Sequence, residues 1–492
     1  MVAETNAEHE TLSPRPGFAV RAYQNRYLPL GARDVSAFLT VTGQGLAAHL
    51  ATPPEAAEIV MIDCSGSMSM PATKIAAARR AVAAAVDTLR DGVFFAIIEG
   101  TGRARPVYPA TGLVRADERT RAEAKRAAAR LVASGGTAMG NWLALARELF
   151  ATRPTAIRHA LLLTDGQNVG EQPQHLDRVL AECAGQFVCD ARGIGGDWEP
   201  RELQRIATVL NGHADGLRRP ADLADDFRQL TEAAMGKVVP NLFVRLRLTP
   251  GTRLRFVREA FPANVDLTDQ VTQLDERTVE FGTGSWPEQD TREYFVGLTV
   301  DPDTDHPVGE DIQLALVSLA ATTAGTTEPH AVGTPDSIEA HWTHDAALSS
   351  RVHPKVAHQN GQEELHTALM AGFDAFDRDQ RAQAEHHWGR AVRLATLAGN
   401  AEVLVRLDPL VTVVDAAGGV VRLRDDVRRE DLLRAAMSSV IGTRSPQASD
   451  ELAHPDHGVG GPDRTCAHCG RICPGTASYC GACGTPLPEA AP

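Results

Sequence analysis

Long apolar runs are missing from this chain. No stretch of about 18 consecutive apolar residues occurs in its 492 residues, so no helix is expected to span a membrane. The first twenty residues, MVAETNAEHETLSPRPGFAV, carry acids and prolines and no apolar h-region. This argues against a secretion signal, and a cytoplasmic location is the expectation. Net basic charge is missing too. Asp and Glu outnumber Lys and Arg by 63 to 49, the formal charge is −14, and no long basic stripe offsets it. That balance argues against general nucleic-acid binding. Aromatics are only 5% of the chain, and Ala and Arg fill many helix positions. Cysteine is sparse over most of the length: Cys64, Cys183 and Cys189 stand apart in the first half, while Cys466, Cys469, Cys473, Cys480 and Cys483 crowd the last 30 residues. No nucleophile–His–acid set and no G-x-S-x-G elbow occurs, so an enzyme is not expected.

What is present is an ordinary globular composition, 43% hydrophobic and 23% charged, in a chain long enough for two to four domains. Residues 1–16 read as disordered. Residues 17–50 alternate in strand fashion (Phe18, Val20, Ala22, then Val35, Ala37, Leu39, Val41). From 51 to 237 strands alternate with helices. Glu58–Ile62, Val93–Ile98, His159–Leu163 and Phe187–Ile194 read as buried strands; Lys74–Leu89, Arg119–Val132, Met139–Phe150, Leu176–Ala184, Arg201–Leu210 and Ala221–Gly236 read as helices. That pattern predicts an α/β fold, a Rossmann-like, mostly parallel sheet with helices on both faces. Residues 238–345 are rich in Pro and Asp and contain alternating stretches such as Asn241–Leu248, which predicts an antiparallel β-sandwich. The strands of 17–50 are expected to join it, making the α/β domain an insertion. Residues 350–440 read as a helical domain, opening with an αα-hairpin. Residues 441–464 read as a flexible linker, and 465–488 as a small metal-bound module.

The organising stretch is Glu58–Met68, EIVMIDCSGSM. An apolar strand delivers Asp63, and Ser65 and Ser67 follow at alternate positions in the loop. Alone, this triplet equally suits an ordinary Asx or Ser turn. Thr137, in the Gly-rich Ser134-Gly135-Gly136-Thr137 loop, and Asp165, ending the strand LLLTDG, extend it. In a parallel sheet both strand ends point to one edge, where open α/β sheets bind ligands. Five oxygen donors without His or Cys suit Mg²⁺ or Mn²⁺. No His or Lys near the motif offers an obvious general base. Cys64 reads as a packed core thiol, as do Cys183 and Cys189.

Asp63-Cys64-Ser65-Gly66-Ser67, Thr137 in SGGT and Asp165 in LLLTDG resemble, in order and setting, the D-x-S-x-S, Thr and T-D-G pattern of a von Willebrand factor type A (VWA) domain with a metal-ion-dependent adhesion site (MIDAS). The resemblance covers roughly 55–237. It implies that Ser65, Ser67 and Thr137 touch the metal directly, and that Asp63 and Asp165 act mostly through bound waters. An ion held so would carry residual positive charge and an exchangeable position, which a partner's Asp or Glu would fill.

At the C-terminus, Cys466-Ala-His-Cys469 and Cys480-Gly-Ala-Cys483 form a paired CxxC set, each followed by glycine. Four thiolates favour tetrahedral Zn²⁺, and the segment resembles a zinc ribbon whose metal must supply its folding energy. Cys473 is either a spare thiol or a competitor for the zinc. These readings converge on a non-enzymatic, metal-dependent protein–protein interaction scaffold, with the ribbon as a second protein contact. The alternative is an accessory subunit of an AAA⁺ ATPase machine, such as a chelatase-like metal-insertion complex, which such domains serve elsewhere.

Overall fold

The computed structural model describes residues 17–49, 54–301, 308–323, 325–350, 352–445, 464–465 and 472–473. The expectations for 1–16 and for the four ribbon cysteines Cys466, Cys469, Cys480 and Cys483 lie outside the described residues. Near them, Arg464–Thr465 pairs antiparallel with Ile472–Cys473.

The α/β domain is built on a sheet in the order 214–217, 188–194, 157–164, 56–63, 94–100, 104–108. The first five of these strands run parallel; 104–108 and the short 114–115 pair antiparallel with 94–100. Ala56–Asp63 lies at the centre with all its residues buried. Ile59 and Met61 face the helices Met139–Phe150, Pro173–Cys183 and Pro200–Val209. Val60 and Ile62 face Thr73–Thr88, Glu118–Ala128 and Leu223–Met235. A strand covered on both faces has no solvent side, so its sequence is continuously apolar rather than alternating. Thr73–Thr88 presents Ala77, Ala78, Ala81, Val82, Ala85 and Val86 to the sheet at helical spacing. Asp117 and Thr120 close a capping box on the helix Glu118–Ala128.

The fold is α/β with added antiparallel sheets, as the pattern of the sequence predicts. Two sheets face one another around a single apolar cluster that includes Val20, Leu39, Leu246 and Trp286. One has the order 17–24, 34–44, 290–300, 252–261, 265–266; the other has the order 272–273, 278–282, 241–248, 311–322, 330–343, 27–29. Strand 34–44 pairs directly with 290–300, so the α/β domain is inserted between strands of this sandwich. The third unit packs the helices Pro354–Asp377, Arg381–Leu397, Ala401–Leu407 and Arg429–Ala436 around Trp388. Two features depart from the expectations. The unit read as helical also holds a β-hairpin, Val411–Asp415 with Val420–Leu423. The start of the predicted linker is docked: Ser445 is buried, its N–H donates to Glu293 Oε2 at 2.9 Å, and Gly442 N–H donates to the Pro262 carbonyl at 3.1 Å. Among the described residues no helix is long and apolar enough to cross a membrane.

Candidate metal centre

The five predicted residues meet at the carboxyl edge of the α/β sheet. Asp63 ends the central strand and is fully buried. Its Oδ1 accepts the Ser65 N–H at 2.7 Å, and its Oδ2 accepts the Thr164 hydroxyl at 2.6 Å. Burial pushes the Asp63 carboxyl above the usual carboxylate range, against these hydrogen bonds, which favour its charge. Ser65 Oγ and Ser67 Oγ lie 2.9 Å apart, and Ser67 Oγ donates to Asp165 Oδ1 at 2.6 Å. A Cβ placed on Gly166 would stand 3.5 Å from Ser67 Oγ and 3.9 Å from Thr137 Oγ1. A small space therefore lies between those hydroxyls, and Gly166 keeps it open. Asp165 is fully buried and Ser65 and Thr137 nearly so, whereas Ser67 is exposed at the mouth.

Three loops hold this arrangement. Gly66 N–H donates to the Gly135 carbonyl at 2.9 Å and Ser134 N–H to the Cys64 carbonyl at 2.6 Å, which stitches the serine loop to the Gly-rich loop. Gly135 has φ +94°, a conformation that glycine adopts without strain. Gly170 N–H donates to the Thr137 carbonyl at 2.7 Å. Asn168 Oδ1 takes the Met139 N–H at 2.8 Å, and Glu171 Oε1 takes the Gly140 N–H at 2.7 Å. These two side chains satisfy the first amides of the helix that Thr137 precedes. Met68 and Cys64 are buried beneath the loop, and burial raises the Cys64 thiol to about 12. Cys183 and Cys189 are free and buried as well.

Sequence reasoning passed over four residues. Thr164, Asn168 and Glu171 act through the hydrogen bonds above, and their types are common in any loop. The fourth is a lysine, which the reading that no His or Lys near the motif offers an obvious general base left without a role. Lys74, on the helix after the serine loop, places Nζ 2.8 Å from Asp165 Oδ2, and both side chains are buried. Its signal was the helical spacing itself: a lysine on the buried face of an Ala-rich helix needs an anion. Beyond Asn168 a cleft of about 810 Å³ runs between the helix 200–209 and the helices 354–377 and 429–436.

The donor set fits a hard divalent cation, since three hydroxyls and two carboxylates converge and no soft ligand intervenes. Among the described residues no group of three or more His, Cys, Asp or Glu is placed to hold a metal, so the hydroxyls are indispensable to any ion here. A mostly parallel sheet covered by helices on both faces, with such a cluster at its carboxyl edge, defines an α/β domain of the open-sheet class. The von Willebrand factor type A domain family matches residues 57–215. A solved von Willebrand factor type A structure from Catenulispora acidiphila is 39% identical with a TM-score of 0.79, the match covering 89% of this chain and 99% of that one. The chain belongs to the von Willebrand factor type A family. The structure of the ArnB paralog VWA2 from Sulfolobus acidocaldarius shares the fold at 13% identity and a TM-score of 0.52, covering 87% of this chain and 100% of that one. No curated protein matches the chain.

Proposed function

We propose that this protein is a non-catalytic interaction scaffold that captures a partner's Asp or Glu through Mg²⁺ or Mn²⁺ held by Asp63, Ser65, Ser67, Thr137 and Asp165. Membership of the family supports an interaction role in general. The observation that carries the metal reading is the convergence of the Ser65, Ser67 and Thr137 hydroxyls on a space kept open by Gly166, beside Asp165. A bound divalent ion would supply the charge that attracts a carboxylate. The protein's own contribution is to orient the donors: Thr164 and the Ser65 amide fix Asp63, and the Gly170–Thr137 bond fixes the third hydroxyl. Ser67 alone of the set is exposed, so an incoming group would enter beside it.

Calorimetric titration with Mg²⁺ tests the site: wild type should bind one ion, and Asp63→Ala should lose binding. Pull-downs with both chains, each in Mg²⁺ or EDTA, should retain a partner only for wild type in Mg²⁺. A partner retained in all four conditions would remove the site from recognition. We also propose that Cys466, Cys469, Cys480 and Cys483 hold one Zn²⁺. Elemental analysis should find one zinc per chain, lost in Cys469→Ser.

A further inference from the structure

We infer that Lys74 sets the charge of this site: its ammonium is a fixed countercharge to Asp165 that weakens metal binding and strengthens the hold of a bound metal on a partner carboxylate. The inference rests on the metal-binding reading above.

The Asp165 carboxylate is divided between two neighbours. Oδ1 takes the Ser67 hydroxyl at 2.6 Å, while Oδ2 takes Lys74 Nζ at 2.8 Å. Among the described residues the ammonium hydrogen-bonds to this carboxylate and to none of the three hydroxyls. Its place is built into the fold. Lys74 sits in the first turn of Thr73–Thr88 and is 6% exposed. Its side chain lies along Gly195, where a Cβ would approach Cε to 3.0 Å and Nζ to 3.2 Å. Gly195 has φ +82°, so the loop after strand 188–194 turns with a residue that leaves this room. Among the described residues, Lys74 makes its ion pair with Asp165 and no other.

The consequence follows from charge. Asp63, Asp165 and a divalent ion sum to zero, and neutral hydroxyls leave that unchanged. Lys74 raises the total to +1. Repulsion between the ammonium and the ion weakens metal binding, and attraction to an incoming carboxylate strengthens capture. Both effects are large where water is excluded. The two equilibria must therefore move in opposite directions when the charge is removed.

The test uses the full, zinc-loaded chain, Mn²⁺ as the metal and acetate as the carboxylate probe. Lys74→Met keeps the length and apolar stem and deletes the charge. It should bind Mn²⁺ at least tenfold more tightly than wild type, followed by electron paramagnetic resonance of free Mn²⁺. Its Mn²⁺-loaded form should take acetate at least threefold more weakly, followed by water relaxation. A damaged fold would weaken metal binding, so a gain cannot arise from structural loss. Wild type supplies a second arm that needs no variant to fold. Lys74 should stay protected from an amine-acylating reagent, read by mass spectrometry, at saturating Mn²⁺. Reactivity induced by Mn²⁺ would mean that the ion displaces the ammonium, and it would overturn the inference. Equal Mn²⁺ affinity in wild type and Lys74→Met would overturn it while leaving the metal reading intact. No Mn²⁺ binding by either chain would overturn both.

Discussion

Glu58, His159 and Asp190 form a buried chain across three neighbouring strands. They lie roughly 16 Å below the hydroxyl cluster, counting five residues of strand from Asp63 back to Glu58. His159 Nδ1 is 2.9 Å from both Glu58 carboxylate oxygens, and Nε2 is 3.1 Å from Asp190 Oδ2. Burial opposes a charged imidazole here, but the Glu58 charge and the bonds to both carboxylates outweigh it and lift His159 to about 10. A raised histidine stabilises the fold fully below the ordinary histidine pKa of about 6.5, and that contribution drains away as pH rises through about 10. His159→Leu leaves the buried Glu58 carboxylate without its cation and Asp190 with only His213 beside it. It should cost about 3–5 kcal/mol at pH 7, measured by urea unfolding, and the gap to wild type should narrow at pH 10. An undiminished gap at pH 10 would show that the imidazole is neutral in the native protein.

At the scale of elements, the proposed metal centre depends on loops that touch rather than on the strands alone. The loop 165–172 passes so close to the Gly-rich loop that a Cβ on Gly170 would fall on the Thr137 carbonyl oxygen. Gly170→Ala should push Thr137 out of place at a cost of about 1–3 kcal/mol. Its circular dichroism should stay native while the rise in Tm that Mg²⁺ binding is expected to give wild type disappears; a rise as large as in wild type would show that Thr137 is dispensable. This dependence explains what the sequence displayed and what it hid. Asp63, Ser65, Ser67, Thr137 and Asp165 were legible because each ends an apolar strand or sits in a glycine-marked loop. Thr164, Asn168 and Glu171 were not, because their roles arise only when separate loops meet; Lys74 carried a signal in its place on the buried face of a helix, but its partner is 91 residues away. The same contrast holds for the strands. Asn241–Leu248 alternates cleanly and was read, whereas His330–Thr343 contains Gly333 and Pro335. Its register shifts opposite Ser318, where Val317 faces Asp336 and Leu319 faces Val332. A bulge of this kind breaks the two-residue period that marks a strand. The hairpin 411–423 escaped notice because its first strand is mostly exposed.

At the scale of the molecule, a buried lysine helps to join the helical unit to the sandwich, beside the Arg258–Glu363 pair and the packing of Val356 on Phe38, Ala260 and Phe295. Lys355, in the first turn of the helix Pro354–Asp377, places Nζ 2.9 Å from Glu293 Oε1, 2.7 Å from Ser445 Oγ and 3.3 Å from Thr40 Oγ1. Glu293 is 2% exposed and Lys355 5%, so the pair is dry and its loss is not repaired by solvent. It ties together the neighbouring sandwich strands 34–44 and 290–300, along with the helix and the segment that follows the helical unit. A second tie, Arg406 to Asp215 at 2.6 Å, fastens the helical unit to the edge strand of the α/β sheet. Without Lys355 the sandwich side would keep the Arg258–Glu363 pair and the Val356 packing, and the balance would shift toward the α/β side. Lys355→Met leaves the buried Glu293 carboxylate without its cation, held only by the Ser445 N–H and hydroxyl, and should cost about 3–5 kcal/mol. Because the cut falls between units, calorimetry should resolve an early transition for the helical unit ahead of the rest, instead of one shared transition. Glu293→Leu added to Lys355→Met removes the stranded charge, and replacing a buried pair by apolar groups is commonly neutral. The double variant should then recover most of the lost Tm and the single transition. If the double variant is as unstable as Lys355→Met, the units are held by the geometry of that hydrogen-bonded knot and not by the charge it neutralises.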